Sequence, residues 1–320
     1  MRHTQSLKRI WRTASEIAAR EHATALGVTL DILWCFVRYG ATRDNYAAFD
    51  FIHARARDRA KFVSFVRSRR LEKRLNDPAM KKEIFDKRGF LKNYSEFIGR
   101  EWLALDESSD EEIRAFLRKH DIVVHKNEHE NQGKGVRFLK SAELLSNAAA
   151  FAKLRKPGAG TILEEYIVQH AEMAKINPTT VQSVRVNTLI DRDGNVKIIG
   201  VRLMAGIRRT SNTHNGGVQY PVDEKTGRVY AWGIKADGEK ILVHPTTGLF
   251  MPGFQIPMWP QILEIAGNVA LRKPGARRVG WDFAVTPVRP ILLEGNFGSG
   301  MESYQGWERG GLWDCLRAQV

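Results

Sequence analysis

Over the first 75 residues apolar positions recur every three to four places, with Gly27 and Gly40 as the chief interruptions, and that period predicts a helical region. The stretch "RARDRAKFVSFVRSRRLEKRL" sets Phe62, Phe65 and Val66 at helical spacing among its charges, the pattern of a helix that packs one side and wets the other. Asn76, Asp77 and Pro78 mark a boundary. Helical character continues from 79 to 121, and in "SSDEEIRAFLRKH" Ser108 or Ser109 can cap while acidic residues crowd the first turn. Then the period changes. "DIVVHK" predicts a strand, "NEHENQGKGV" a polar loop, "RFLK" a second extended segment and "SAELLSNAAAFAKL" a helix; Pro157 to Gly160 leads into the strand "TILEEYI". From 181 to 243 short strands alternate with turns at Asp191 to Asn195, Asn215 to Gly217 and Asp237 to Gly238, as in an antiparallel sheet. The helix "PQILEIAGNVALRK" precedes two last apolar runs, around Trp281 to Val285 and Ile291 to Leu293, with turn chemistry from Pro287 to Pro290 between them. The expectation is an α+β chain that opens with a helical region at 1–75.

The final hairpin carries the first chemistry. Glu294 interrupts an apolar run, and Asn296, two places on, shares its side of the strand. Asp282 joins them if the hairpin loop has an odd number of residues: a three-residue loop at 287–289 or 288–290 pairs it with Glu294 or Asn296, whereas a two-residue loop turns it to the other face. Two carboxylates and an amide oxygen on one face suit a hard divalent cation such as Mg²⁺, with Mn²⁺ as a substitute. A hairpin end whose polar residues meet solvent is the plainer alternative, and the hairpin alone does not choose.

Composition narrows the field. A chain of 320 residues with 43% hydrophobic content can bury one large core or two to three smaller ones. The longest apolar stretch, "GVTLDILWCFVRYG", is broken by Asp31 and Arg38 and falls short of the roughly 18–20 residues of a membrane span. The N-terminus is polar and basic with no apolar segment behind it, so no secretory signal is read there. Two cysteines, Cys35 and Cys315, are too few for a disulfide framework, and a reducing cytoplasm fits. Of the net charge of +14, residues 1–75 hold +9, from 16 Lys and Arg against 7 Asp and Glu. That excess favours anionic partners: nucleic acid, acidic lipid headgroups or phosphorylated substrates. The helical spacing of its apolar residues argues for a packed subdomain with no specific nucleic-acid partner, and leaves peripheral membrane contact open.

Lys126 ends an apolar strand and is followed by the "GKGV" loop, where glycines let backbone amides approach phosphate oxygens and a lysine adds a point charge. The spacing is not that of a Walker A motif, and no G-x-G-x-x-G follows a strand. About thirty residues on, "ILEEYI" brings two carboxylates to a strand end whose backbone can read the edge of an adenine. Each feature alone has a plain meaning, an exposed turn or a solvated edge strand.

In order, these features resemble the ATP-grasp superfamily, and in particular its sugar-transfer-associated family, over residues from about 45 to 310. The matches include "DK" at Asp86 and Lys87, "QH" at Gln169 and His170, "VRVNTL" with Arg185, "HNGGVQYPVD", "VGWDFA" and "LEGNFGSGMESYQ". The resemblance implies an ATP-grasp fold, two α+β subdomains gripping ATP with the first lobe at 76–168 and the second at 169–320, and a ligase that uses ATP and Mg²⁺. On it, Lys126 binds the nucleotide phosphates with help from Lys87, and Gln132, Gly133, Lys134, Gly135 and Val136 form the loop that closes over them. Glu164, Glu165, Tyr166 and Ile167 line the adenine pocket, chiefly through the backbone of Glu165 and Ile167. The ribose-binding place falls to Gln169, His170 or Glu172, and Asp282, Glu294 and Asn296 hold the metal. Asn127 stands where a proline often follows the strand lysine.

ATP-grasp chemistry transfers a phosphoryl group to a carboxylate, giving an acylphosphate that an amine attacks; it needs fixed cations around the transferring group. Arg185 and Arg202, in strand patterns between the adenine segment and the hairpin, are the candidates, with a structural arginine paired to an acid as the alternative. Arg208, Arg209, Asn215, Gly216 and Gly217, in "GIRRTSNTHNGGVQY", and Gln305 are candidates for the acidic acceptor, with a long surface turn as the equal alternative for the loop. The leading expectation is a carboxylate–amine ligase acting on a cell-surface sugar or related metabolite. Its rivals are a small-molecule kinase on the same fold and a basic adaptor, binding nucleic acid or membrane, with a dead nucleotide site.

Overall fold

The computed structural model describes residues 7–128, 135–155, 160–207, 216–235, 238–301, 304–305 and 310–320. Helices α1 (Leu7–Arg20), α2 (Ala25–Tyr39), α3 (Arg43–Ala48) and α4 (Ala56–Arg59) enclose a core that includes Ile10, Ile32, Phe49, Phe51 and Phe62. Helix α5 (Phe65–Leu75) turns elsewhere, because its buried Leu71 and Leu75 pack with Leu189, Ile199, Met301 and Leu316. Asp77 and Asp86 then cap α6 (Pro78–Phe85) and α7 (Lys87–Asn93), and α8 (Ser95–Ile98) follows.

The first sheet is antiparallel, in the order β1 (Trp102–Ala104), β4 (Thr161–Glu165), β2 (Ile122–Asn127), β3 (Arg137–Lys140). Helices α9 (Asp110–Lys119), α10 (Ser141–Ser146) and α11 (Ala148–Leu154) cover one face, where Ile113, Leu117, Val123, Phe151 and Leu163 form a core. Alternation along the strands sends Val124, Lys126, Ile162 and Glu164 to the opposite face. Strand β1 lies in a stretch expected to be helical; three residues are too few to show a period. The single helix expected over 141–154 is two, because the Asn147 carboxamide oxygen accepts from Ala150 N (3.0 Å) and starts α11 afresh.

After α12 (Ala171–Ala174) the chain builds the second sheet from β5 (Ser183–Ile190), β6 (Val196–Ala205), β7 (Val218–Val222), β8 (Gly233–Ile234), β9 (Lys240–Ile241), β10 (Arg278–Val285) and β11 (Pro290–Phe297). Its order is β11-β10-β5-β6-β7-β8-β9. Val184, Val186, Leu203, Trp281 and Phe283 pack in one core with Ile262 and Ala266 of α13 (Trp259–Leu271) and with Ile84, Phe90 and Leu91 of α6 and α7. Helix α14 (Trp313–Arg317) completes the described chain. No helix among the described residues is long and apolar enough to cross a membrane.

The last hairpin departs from its expected geometry while reaching the same pairing. Val285 faces Pro290, so residues 286–289 form the turn. The Thr286 hydroxyl closes it, accepting from Val288 N (3.2 Å) and Arg289 N (3.1 Å). A four-residue loop alone would put Asp282 opposite Leu293. A register shift between Asp282 and Phe283 adds one residue to β11, so Phe283 faces Leu292 while Asp282 faces Glu294.

Candidate active site between the two sheets

Strand register aligns four charged residues in one row across the second sheet: Glu294 opposite Asp282, Asp282 opposite Arg185, and Arg185 opposite Arg202. The row lies on the face away from the core residues that alternate with it, Val184, Val186, Trp281 and Phe283. Arg185 holds Asp282 in a fork, Nε to Oδ1 at 2.6 Å and Nη2 to Oδ2 at 2.7 Å. A second row, Asn296, Gly280, Asn187 and Gly200, runs beside it. A Cβ at Gly200 would stand 2.4 Å from the Tyr304 ring, so only glycine lets that ring lie against the sheet, with the Arg202 guanidinium 5.3 Å from its centroid.

Glu294 lacks the counter-charge that Asp282 has. Its carboxyl is pushed above the ordinary carboxylate range, first by the surrounding protein and then by Asp282, with Arg185 and Lys126 offsetting only part. Its side chain still meets solvent. Asn296 Nδ2 donates to Asp282 Oδ2 (3.2 Å) and Glu294 Oε1 (3.4 Å), and half a turn of the amide presents Oδ1 instead. Among the described residues no three His, Cys, Asp or Glu side chains gather as a metal cage. The donors at this row are therefore two carboxylates and one amide, and that sparse oxygen set fits Mg²⁺, which fills its other positions with phosphate and water.

The first sheet supplies the opposite charge balance. Glu164, 4% exposed, accepts on one oxygen from Arg100 Nε (2.6 Å) and Lys126 Nζ (2.8 Å). Burial alone would raise its carboxyl; Arg100 and then Lys126 override that and hold it down at about 2. Arg100 Nη1 also donates to Leu292 O in β11 at 2.8 Å, so one guanidinium ties the two sheets together. Lys87 Nζ donates to Asn127 O at 2.8 Å beside Lys126. Burial and then the neighbouring Lys126 push its ammonium down, while Glu294, Glu128 and Glu164 pull the other way. Both lysines thus share one electrostatic neighbourhood with Glu294.

Other expected residues fall in varied places. The Glu165 backbone N–H is occupied by Glu101 O (2.9 Å), so it faces β1 and is not open to a base. Tyr166 meets Phe138 edge-on at 5.9 Å; with Ile122, Leu139, Lys140 and Thr179 they line a cavity of about 260 Å³. Ile122 and Phe138 lie on the Lys126 face of the sheet, and neither carries a sequence motif. Ile167 is half-buried. His170 Nδ1 accepts from Glu172 N (3.1 Å) as the cap of α12, Glu172 pairs with Lys175, and Gln169 spends its carboxamide on Asn177 O, Thr180 O and Gln182 N. Gln305, expected near the substrate, braces the N-terminal region: Oε1 accepts from Val63 N (2.7 Å) and Leu312 N (3.0 Å), and Nε2 donates to Val63 O (3.1 Å). Gly135 takes a left-handed φ of 76° at the edge of its loop, with Val136 half-buried beside it, and Gly216 and Gly217 lead into β7. Gln132, Gly133, Lys134, Arg208, Arg209 and Asn215 lie outside the described residues.

A lysine-bearing four-stranded sheet set against a carboxylate-bearing antiparallel sheet is the ATP-grasp architecture. A model of the sugar-transfer associated ATP-grasp family matches residues 58–318, and the chain belongs to that family. No curated protein matches it in sequence. Among solved structures it is similar to the ATP-grasp ligase PsnB complexed with a phosphomimetic variant of minimal precursor, Mg and ADP, at 14% identity and a TM-score of 0.45, covering 77% of this chain and 60% of that one. It is also similar to N5-carboxyaminoimidazole ribonucleotide synthetase from Thermotoga maritima (16% identity, TM-score 0.40, 72% of this chain and 48% of that one). A third is D-alanyl-alanine synthetase A from Vibrio cholerae (12% identity, TM-score 0.44, 76% of this chain and 67% of that one). At such identities the likeness concerns the fold.

Proposed function

We propose that the protein is an ATP-dependent ligase that joins a carboxylate to an amine through an acylphosphate, releasing ADP and phosphate. The observation that carries this reading is the Arg100 tie, which sets the Lys126–Glu164 pair against β11, the strand that bears Glu294 and Asn296 of the Asp282–Glu294–Asn296 set. Lysines serve the phosphate chain, and the carboxylate row serves the cation that accompanies it. Mg²⁺, when bound by Asp282, Glu294 and Asn296, neutralises phosphate charge. Arg185, locked to Asp282, and Arg202, under the Tyr304 ring, add fixed positive charge for the transferring group, which needs little reorganisation because both are already held. A substrate carboxylate oxygen attacks the γ-phosphorus and ADP leaves; an amine then attacks the acyl carbon, phosphate leaves, and the amine loses a proton. The family's association with sugar transfer supports a cell-surface sugar or related metabolite as the molecule modified.

The test is a screen of carboxylate and amine pairs for substrate-dependent ADP release, with mass spectrometry of the product. A condensed product with free phosphate is expected. A stable phosphorylated hydroxyl compound would replace the ligase reading by a kinase one, and failure to bind Mg·ATP in calorimetry would overturn both.

A further inference from the structure

Helix α2 is apolar on both sides. Val28, Ile32, Cys35 and Tyr39 face the N-terminal core, as in any amphipathic helix. On the opposite side Leu26, Leu30, Trp34 and Val37, spaced by four, four and three, form a stripe that is 61%, 58%, 49% and 85% exposed. A helix that is hydrophobic all round belongs in an apolar medium, yet the stripe stands in solvent. Its neighbour α1 behaves differently, turning Lys8, Arg12 and Glu16 outward, while Leu7 and Trp11 add exposed apolar area.

The charges indicate what covers the stripe. Asp31, the one acid of α2, is consumed inside the subdomain: Arg59 grips both its oxygens (2.7 and 2.8 Å), and the Tyr46 hydroxyl donates to it (2.6 Å). Glu16 pairs with Arg12, and Glu21 with His53. Lys8, Arg9, Arg20 and Arg38 are exposed, and the structure shows no ion pair for them among the described residues. The short link between α1 and α2 folds the two helices back on each other, so Lys8 and Arg9 at the start of α1 come level with Arg38 near the end of α2. A second copy on this face would oppose two regions of net +9 each. An anionic lipid surface complements both properties at once, apolar boundary for the stripe and headgroups for the cations.

We propose that α2 docks the protein on an anionic bilayer, with Leu26, Leu30, Trp34 and Val37 seated at the headgroup–acyl boundary and Lys8, Arg9 and Arg38 on the headgroups. This goes beyond the ligase reading and does not depend on it. The experiment is cosedimentation of the full chain with phosphatidylcholine vesicles, with and without phosphatidylglycerol, for the wild type and a Leu30→Gln/Val37→Gln variant. Both substituted residues are solvent-facing, so folding and Mg·ATP binding stay unchanged. The wild type should partition onto the anionic vesicles, less so in high salt. The variant should bind about tenfold more weakly or worse, the scale set by withdrawing two large apolar side chains from the contact. Equal binding of the two proteins overturns the proposal, since charge alone would then account for it. So does a wild type that ignores vesicles, whether it sediments as a monomer or as a dimer that the variant dissolves.

Discussion

Glu164 and Glu294 stand on facing sheets in opposite electrostatic conditions. Glu164 has two cations on one oxygen and titrates at about 2; Glu294 has a second carboxylate beside it and an amide donating to it, and its carboxyl is pushed up. The difference separates structural charge from functional charge. A buried carboxylate whose partners are complete is part of the folded framework, and here it fixes Lys126 and joins the sheets through Arg100. On the proposed reading, a carboxylate short of positive charge is where the cation binds.

The comparison breaks first at Glu164. Replacing it by Leu leaves the Arg100 side chain, 2% exposed, without its carboxylate, and we expect a loss of about 3–5 kcal/mol in denaturant unfolding. A midpoint equal to wild type would mean that the bridge is not structural. The pH dependence follows with its own sign. Glu164 titrates at about 2 folded against about 4.3 unfolded, so its contribution is fully present above the unfolded value and is lost as pH falls toward 2. That contribution is on the order of 3 kcal/mol, and the stability gap between wild type and Glu164→Gln should narrow through this window. A gap constant down to pH 2 would contradict it.

Lys126→Ala sharpens the contrast between framework and function. Arg100 still answers Glu164, so folding should change less than in Glu164→Leu. Mg·ATP affinity should fall by about 1.5–3 kcal/mol, as for a lost hydrogen bond to a charged group. Calorimetry showing wild-type affinity would remove Lys126 from the phosphate site.

The regular parts of this arrangement were legible from periodicity, and the long-range parts were not. Alternation placed Glu294 and Asn296 on one side, and the conditional pairing of Asp282 with Glu294 is present. It arises through a four-residue turn and a bulge; an extra leucine in an apolar run leaves no mark on the pattern. Arg100 sits 64 residues from Glu164 and 192 from Leu292, and nothing local announces either contact. Gln305 likewise reaches Val63 across 242 residues, so a residue beside a site motif is a brace to a distant subdomain. One local signal does point to the site: Gly200 interrupts a strand in "IIGVR", and a strand-interior glycine marks close approach, here by Tyr304.

The smallest expected effect is on the stability of Glu294→Gln. The substitution keeps shape and packing but removes one of two neighbouring negative charges. In metal-free buffer at neutral pH the raised carboxyl costs the wild type some stability, so the variant should melt at the same temperature or slightly higher. The side chain meets solvent, which screens the repulsion, and the gain should stay below about 1 kcal/mol. Adding Mg²⁺ should reverse the order, because binding to the folded state raises stability with the logarithm of affinity and the variant has lost a charged ligand. Turnover of ATP should fall sharply in the same variant. Should Glu294→Gln melt far below wild type without metal while keeping full turnover, Glu294 belongs with Glu164 as framework, and the contrast between the two sheets collapses.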